Sequence, residues 1–375
     1  SEMVDAGQCA FPLLFDHNGD GLLDLVLGNH TRKVTATNMN SGLVLYENTG
    51  TATSPEFTLT SRNYAGLTNA FNPAILGMAP TLGDLDGDGD PDMLIGDSEG
   101  RVHYVQNTAP TGQAANFSNV TVQYFGIDIG QNATPALADI DRDGDLDLIL
   151  GDISGNLNYF ENTGTAQAAV FSNVPDDDLW GGVDTQPICC TGYSVPYIFQ
   201  NPQTNRFDMI VGSQDGNLLY YNDFESELGS TFTLDQGNFG EIQEGERTAI
   251  AGADLNNDNV WEWVVGNVRG GIGFYSGNGL ITTSPDVQLP RPADWQVFPN
   301  PSSGIFGVQL SPSHAAGTMR ISVLNLHGQS LLRQDHVSAA KGATVDMSAF
   351  APGIYFLRMD LNGVFGGVKR IEVMR

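Results

Sequence analysis

The chain has 375 residues, with 44 acidic against 16 basic side chains and a formal net charge of −28. So negative a field repels polyanions, which disfavours nucleic acid and anionic membrane as partners. Three cysteines are too few for a disulfide scaffold, and no apolar run approaches the ~20 residues of a membrane-spanning helix.

The first element in chain order is a nine-residue acidic loop, Asp16 to Asp24, followed by the apolar run Leu25–Gly28. The same unit returns at Asp84–Asp92, Asp139–Asp147 and Asp254–Glu262, each time before a short apolar run ending in Gly96, Gly151 or Gly266. Positions 1, 3, 5 and 9 carry oxygen side chains: Asp16, Asn18, Asp20 and Asp24; Asp84, Asp86, Asp88 and Asp92; Asp139, Asp141, Asp143 and Asp147; Asp254, Asn256, Asp258 and Glu262. Hard divalent cations take about six to eight oxygen ligands, and without one these carboxylates would repel each other. The spacing therefore predicts about four calcium sites, with a main-chain carbonyl near position 7 and position 9 closing each site. Position 6 (Gly21, Gly89, Gly144, Asn259) is expected to turn with positive φ. A helix-flanked EF-hand is closed by Glu at position 12; here strands follow, so the loop belongs to a β-hairpin. The plainer alternative, a solvated acidic turn, loses weight with four copies in register.

The register extends beyond the loop. A second Gly follows at 42, 100, 155, 216 and 270, and then an aromatic-centred strand such as Tyr104–Asn107 or Tyr159–Asn162. A degenerate member at Gln200–Asp208 keeps only the last acid, and no metal is expected there. Unit starts lie 68, 55, 61 and 54 residues apart. This period and four short strands per unit predict an all-β propeller; for the second unit the strands are Met78–Gly83, Asp92–Gly96, Val102–Asn107 and Phe117–Tyr124. A linear array of separate modules is the alternative, but units this small could barely bury a core alone.

These loops, the trailing Gly and the aromatic strand resemble the FG-GAP/VCBS calcium-binding repeats of integrin-α-like propellers. The resemblance covers roughly residues 8 to 290. It implies that calcium stiffens the outer hairpins and that any ligand, a glycan or a protein, meets loops on a propeller face. Five units are visible. Relatives commonly close with seven, so an intact ring of seven is open as an expectation. Two segments break the repeat: Thr31–Ser41, and Asp176–Thr185, where Trp180 is weighed as a ligand contact against plain packing. Cys9 could pair with Cys189 or Cys190, Cys189 and Cys190 could form a strained vicinal bridge, or the thiols could stay free.

Composition changes near residue 290. Residues 1–290 hold 8 basic and 39 acidic side chains, whereas 291–375 hold 8 and 5. A proline-bearing linker, 291–295, separates the propeller (1–290) from a second β-domain (296–375). Alternation at Phe306, Val308 and Leu310, at Met319, Ile321 and Val323, and at Tyr355, Leu357 and Met359 predicts a small immunoglobulin-like β-sandwich. Asn362-Gly363 marks a tight hairpin. Its blocks in order are Pro299-Asn300-Pro301 within Val297–Pro301, Gly304–Gly307, Ile321–Gly328, Pro352-Gly353 with Tyr355, and Lys369-Arg370 within Lys369–Val373. That ordered set resembles the type A C-terminal sorting domain of the Bacteroidetes type IX secretion system. The resemblance implies export to the cell surface or medium. It also implies recognition by the translocon and its outer-membrane shuttle protein, and processing by a sortase.

Catalytic patterns are weak. Gly96–Gly100 matches G-x-S-x-G, but it falls in the hairpin turn of the repeat rather than a strand-to-helix elbow. The six histidines lack metal spacing. A carboxylate pair for glycoside hydrolysis stays open among the acids outside the loops. The expected function is a non-enzymatic surface binding or adhesion module. Alternatives are an accessory propeller of a larger polysaccharide-degrading enzyme, or a structural surface component.

Overall fold

The computed structural model describes residues 7–33, 39–71, 75–186, 191–276, 295–310, 319–324, 330–336, 343–361 and 364–374. The chain divides into two compact units, Ser1–Val287 and Gln288–Arg375.

The first unit is a β-propeller of five antiparallel sheets. Blade one runs Phe11–Phe15, Asp24–Gly28, Leu43–Asn48, Phe57–Ser61, and blade two Ala79–Gly83, Asp92–Gly96, Val102–Asn107, Phe117–Thr121. Blade three has Thr134–Ala138, Asp147–Gly151 and Leu157–Phe160; blade four Val195–Gln200, Phe207–Gly212 and Leu218–Tyr221; blade five Ala249–Ala253, Glu262–Gly266 and Ile272–Ser276. The expected fourth strand is absent from blades three and four. Isolated bridges at Tyr159–Asp177 and Tyr220–Gln236 stand in its place. The corresponding part of blade five lies outside the described residues.

The second strand of each blade explains why its sequence is apolar throughout. Side chains alternate between the two faces of a strand, and here both faces meet a neighbouring blade. Val26 packs with Met93 and Ile95 between blades one and two. Leu94 packs with Leu148 and Leu150 between two and three, and Ile149 with Met209 and Val211 between three and four. Ile210 packs with Trp263 and Val265 between four and five. Val264 packs with Leu25 and Leu27 between five and one. Five blades thus share five cores, and the ring closes on itself. The ring of seven is not what this fold adopts.

The trailing glycines belong to the same junctions. A Cβ on Gly96 would lie 2.1 Å from the Ala133 carbonyl oxygen of the next blade, and one on Gly266 would lie 2.0 Å from that of Ala10. Backbone hydrogen bonds cross at each junction just beyond these glycines: Met78 N to Asn29 O (2.9 Å), Ala133 N to Asp97 O (2.9 Å), Ser194 N to Asp152 O (3.1 Å), Thr248 N to Ser213 O (3.2 Å) and Ala10 N to Asn267 O (3.1 Å).

The five innermost strands enclose a central cavity of about 390 Å³. Pro12, Pro80, Pro135 and Pro196 occupy the same register there, with Ile250 in the fifth blade. A proline is tolerated because each innermost strand is a sheet edge and needs no outward N–H. Within the segment Thr31–Ser41, Arg32–Lys33 pairs antiparallel with Met39–Asn40, and residues 34–38 lie outside the described residues. Cys9 is buried and has no disulfide partner among the described residues, while Cys189 and Cys190 lie outside them.

The second unit is a sandwich. One sheet is Trp295–Phe298, Ile305–Leu310, Ala343–Asp346, and the other Ser330–His336, Met319–Leu324, Gly353–Leu361, Val364–Val373. Phe306, Val308 and Val345 from the first meet Ile321, Val323, Leu357, Met359 and Ile371 from the second in one core. Leu361 opposes Val364 across the Asn362-Gly363 dipeptide, which itself lies outside the described residues.

Candidate metal centre

Each acidic loop joins the first and second strands of its blade, so all four open at the same end of the ring. Position 6 has positive φ in every copy: Gly21 86°, Gly89 91°, Gly144 100°, Asn259 65°. Position 4 does too, at Gly19 77°, Gly87 72°, Arg142 64° and Asn257 55°. The two left-handed residues coil the chain so that positions 1, 3 and 5 converge.

In blade two, Asp84, Asp86 and Asp88 each place one oxygen within 4.8 Å of the others, and in blade three Asp139, Asp141 and Asp143 do the same. These clusters could hold a metal. In blade two, Gly87 N and Gly89 N donate to the two oxygens of Asp84 (2.7 and 3.0 Å), which orients the carboxylate. Loops one and five are built alike but carry Asn at position 3. Asp16 accepts from Gly19 N (2.7 Å), Asp20 N and Gly21 N, and Asn18 Nδ2 donates to Asp20 (3.1 Å). Asp254 accepts from Asp258 N and Asn259 N, and Asn256 Nδ2 donates to Glu262 (2.9 Å).

The position-9 acids do more than close a loop. Asp24, Asp92, Asp147 and Asp208 are buried. Asp92 Oδ1 accepts from Asn107 N (2.8 Å), and its Oδ2 accepts from Leu85 N (3.3 Å) and the Tyr104 hydroxyl (2.9 Å). Asp147 repeats this with Asn162 N (2.8 Å) and Ile140 N (3.2 Å). Each ties the loop and the third strand to the second. Burial pushes both carboxyls up, to about 6, against the pull of those hydrogen bonds. Blade four shows the tie without the loop: Asp208 accepts from Asp223 N (2.8 Å), the Tyr220 hydroxyl (2.6 Å) and Asn201 Nδ2 (2.7 Å).

The degenerate fourth loop is met by a guanidinium from the third. Arg142 reaches Glu225 through Nε (3.0 Å) and Nη2 (2.9 Å), donates to Asn205 O (3.2 Å), and lies 4.4 Å from the Phe207 ring centroid.

Two features were not singled out in the sequence. Position 7 is also acidic in loops two and three, where Asp90 and Asp145 are buried. A second repeat places an aromatic three residues before an aliphatic: Tyr64–Leu67, Tyr124–Ile127, Trp180–Val183 and Phe239–Ile242. Each forms a 3₁₀ turn whose second residue has positive φ, and the aliphatic is buried. Trp180 therefore belongs to the repeat and does not break it. Its ring is buried, stacked on Tyr159 (5.4 Å, 12°) and edge-on to Phe232, so of the two alternatives weighed for Trp180 the packing one describes it.

In the second unit, Asn300 clips the last strand. Its Oδ1 accepts from Glu372 N (3.0 Å) and its Nδ2 donates to Arg370 O (2.8 Å). Pro299 and Pro301 flank it at the surface, where Pro352, Lys369 and Arg370 are also exposed. The Tyr355 hydroxyl donates to Ala351 O (2.9 Å), next to Pro352-Gly353. Gly328 lies outside the described residues.

Comparison with known families follows this division. Residues 16–95 and 84–150 match the FG-GAP-like repeat, and residues 296–371 match the secretion system C-terminal sorting domain. The latter marks proteins exported by type IX secretion to the cell surface or extracellular space, and it implies interaction with that machinery. No curated protein matches the chain by sequence. Similar solved structures include the BP39L lectin from Burkholderia pseudomallei (13% identity, 98% of this chain and 99% of that one, TM-score 0.32). BBS1N in complex with ARL6DN is another (11%, 78% and 81%, TM-score 0.29). A third is dimeric latent PorU from Porphyromonas gingivalis (11%, 79% and 28%, TM-score 0.20). Scores this low say nothing about ligands.

Proposed function

We propose, for a chain with FG-GAP-like repeats in its ring and a secretion system sorting domain at its end, that the protein is a calcium-stabilised, non-catalytic binding or adhesion module working outside the cell. The observation that carries the reading is the convergence of three carboxylates in each of loops two and three. Their hard oxygen donors on a tight hairpin suit calcium over softer metals. Loops one and five supply two carboxylates and an amide at the same positions, with Asp24 or Glu262 behind. Bound calcium would stiffen hairpins at one end of the ring and leave the loops free to present a ligand surface for a glycan or a protein.

The central cavity is lined mainly by apolar side chains among the described residues. Its lining carries no carboxylate, histidine or cysteine, and the Tyr197 hydroxyl there is engaged by Gly252 O (2.7 Å). The translocon, the shuttle protein and a sortase are the partners of the tail under this reading. The full chain should melt at a markedly lower temperature in EDTA than in calcium, because an ion bound only to the folded state stabilises it by mass action; superimposable melts would end the metal reading. On arrays of glycans and soluble polysaccharides we expect retention without release of reducing ends. Released reducing ends would replace the binding reading with a hydrolytic one.

A further inference from the structure

The four acidic loops differ in how well they satisfy their own oxygens. Among the described residues, seven buried side-chain polar atoms lack any hydrogen-bond partner, and four of them sit in loops two and three: Asp86 Oδ1, both oxygens of Asp90, and Asp139 Oδ1. Loops one and five contribute none. Asp90 is 6% exposed, and its carboxylate lies within the field of Asp84, Asp86 and Asp88. Asp145, 7% exposed, stands in the same relation to Asp139, Asp141 and Asp143. A buried carboxylate without a donor is costly, and one among like charges more so. Position 7 of loops one and five is Leu22 and Val260.

We propose that the ring carries two classes of calcium site: two tight ones, in which the buried carboxylates of Asp90 and Asp145 add negative charge beside the ligands at positions 1, 3 and 5, and two weak ones in blades one and five. The inference rests on the calcium reading above and adds the order of filling. Loops two and three present five carboxylates each along positions 1 to 9, against three each in loops one and five. Affinity in oxygen-ligand loops rises with ligand charge and rigidity. The orphaned oxygens of blades two and three are the ones a cation must satisfy. Loops one and five leave no buried side-chain oxygen in that state among the described residues.

The test is calorimetric titration of the metal-stripped full chain with calcium, and again with terbium read by luminescence. Two tight equivalents followed by a weaker class are expected. Asp90→Asn with Asp145→Asn should weaken the tight class by roughly tenfold or more and leave the weak class in place. Asn matches Asp in size, and a cooperative calcium-free melt at or above the parent's temperature confirms that the variant folds. Leu22→Asp with Val260→Asp gives the converse: the weak class tightens. Four equivalent sites in the parent chain, or a tight class indifferent to the double Asn variant, overturns the inference while leaving calcium binding intact. No heat and no luminescence at all would overturn the calcium reading with it.

Discussion

At the scale of single residues, the position-9 acids show how one side chain can serve two purposes. A carboxylate at a loop's last position reads as a ligand, because spacing reports chemistry but not direction. The structure turns these groups inward to bind backbone N–H groups, and Asp208 keeps that bond where the rest of the loop has gone. The carboxyls of Asp92 and Asp147 are raised from 3.8 to about 6 by burial. The native chain therefore holds protons that the unfolded chain has already released in this window, so each group costs stability as pH climbs. In EDTA, we expect the stability measured by denaturant to fall between about pH 4 and pH 6, and calcium to diminish that fall. A stability that rises through the same window without metal would contradict it. Asp90 and Asp145 were missed for a related reason. Position 7 reads as a carbonyl donor in the loop as a type, and only burial distinguishes these two side chains from surface acids.

At the scale of elements, the strands were legible nearly to the residue in blade two. The expected Asp92–Gly96 and Val102–Asn107 match the observed bounds, and the others differ by one residue at Ala79 and three at Thr121. A short apolar run between Asp92 and Gly96, and fixed punctuation by Gly and Asn, account for that. The loss of the fourth strand from blades three and four was not legible, because an outer strand has only one neighbour and its pattern weakens into isolated bridges. The aromatic turn escaped notice because its leading residue changes among Tyr, Trp and Phe, although its copies recur at intervals of 60, 56 and 59 residues. It is nonetheless what buries Trp180. Arg142 is the element-scale oddity: a non-glycine residue at φ 64° whose side chain leaves its own loop to dock on blade four. We expect Arg142→Gln to cost on the order of 1 kcal/mol, from loss of the paired contact and the ring stacking. The loss should be equal in calcium and in EDTA, since this guanidinium docks on the blade for which no ion is expected. A loss confined to calcium-loaded protein would show instead that Arg142 acts through loop three.

At the scale of the whole molecule, two units with opposite charge balance carry two different instructions. The acidic ring is a scaffold, and the sandwich is an address. Removal of residues 296–375 should leave a ring with the parent's calcium-dependent melting, but trapped inside the cell. Recovery of that truncated ring in the medium at parental levels would remove the sorting role from the tail. Fold class was open to reading from the repeat alone. Closure was not, because five units fit either a complete ring or part of a larger one. The decision lies in contacts between the first and last blades, such as the stacking of Phe57 on Phe274 at 5.6 Å, which no local pattern announces.

That last junction is chemically equivalent to the other four, yet it alone is not crossed by the polypeptide. Gly266 sits against Ala10, Ala10 N bonds Asn267 O, and Leu25 and Leu27 pack on Val264, all without a covalent link between the two blades. The tail is attached to the ring through blade five. A protein held by its C-terminal end while its ring grips something else would feel tension first in that blade. The load would fall on one seam of backbone hydrogen bonds and apolar contacts, and mechanically the closed ring is a hoop with a single clasp.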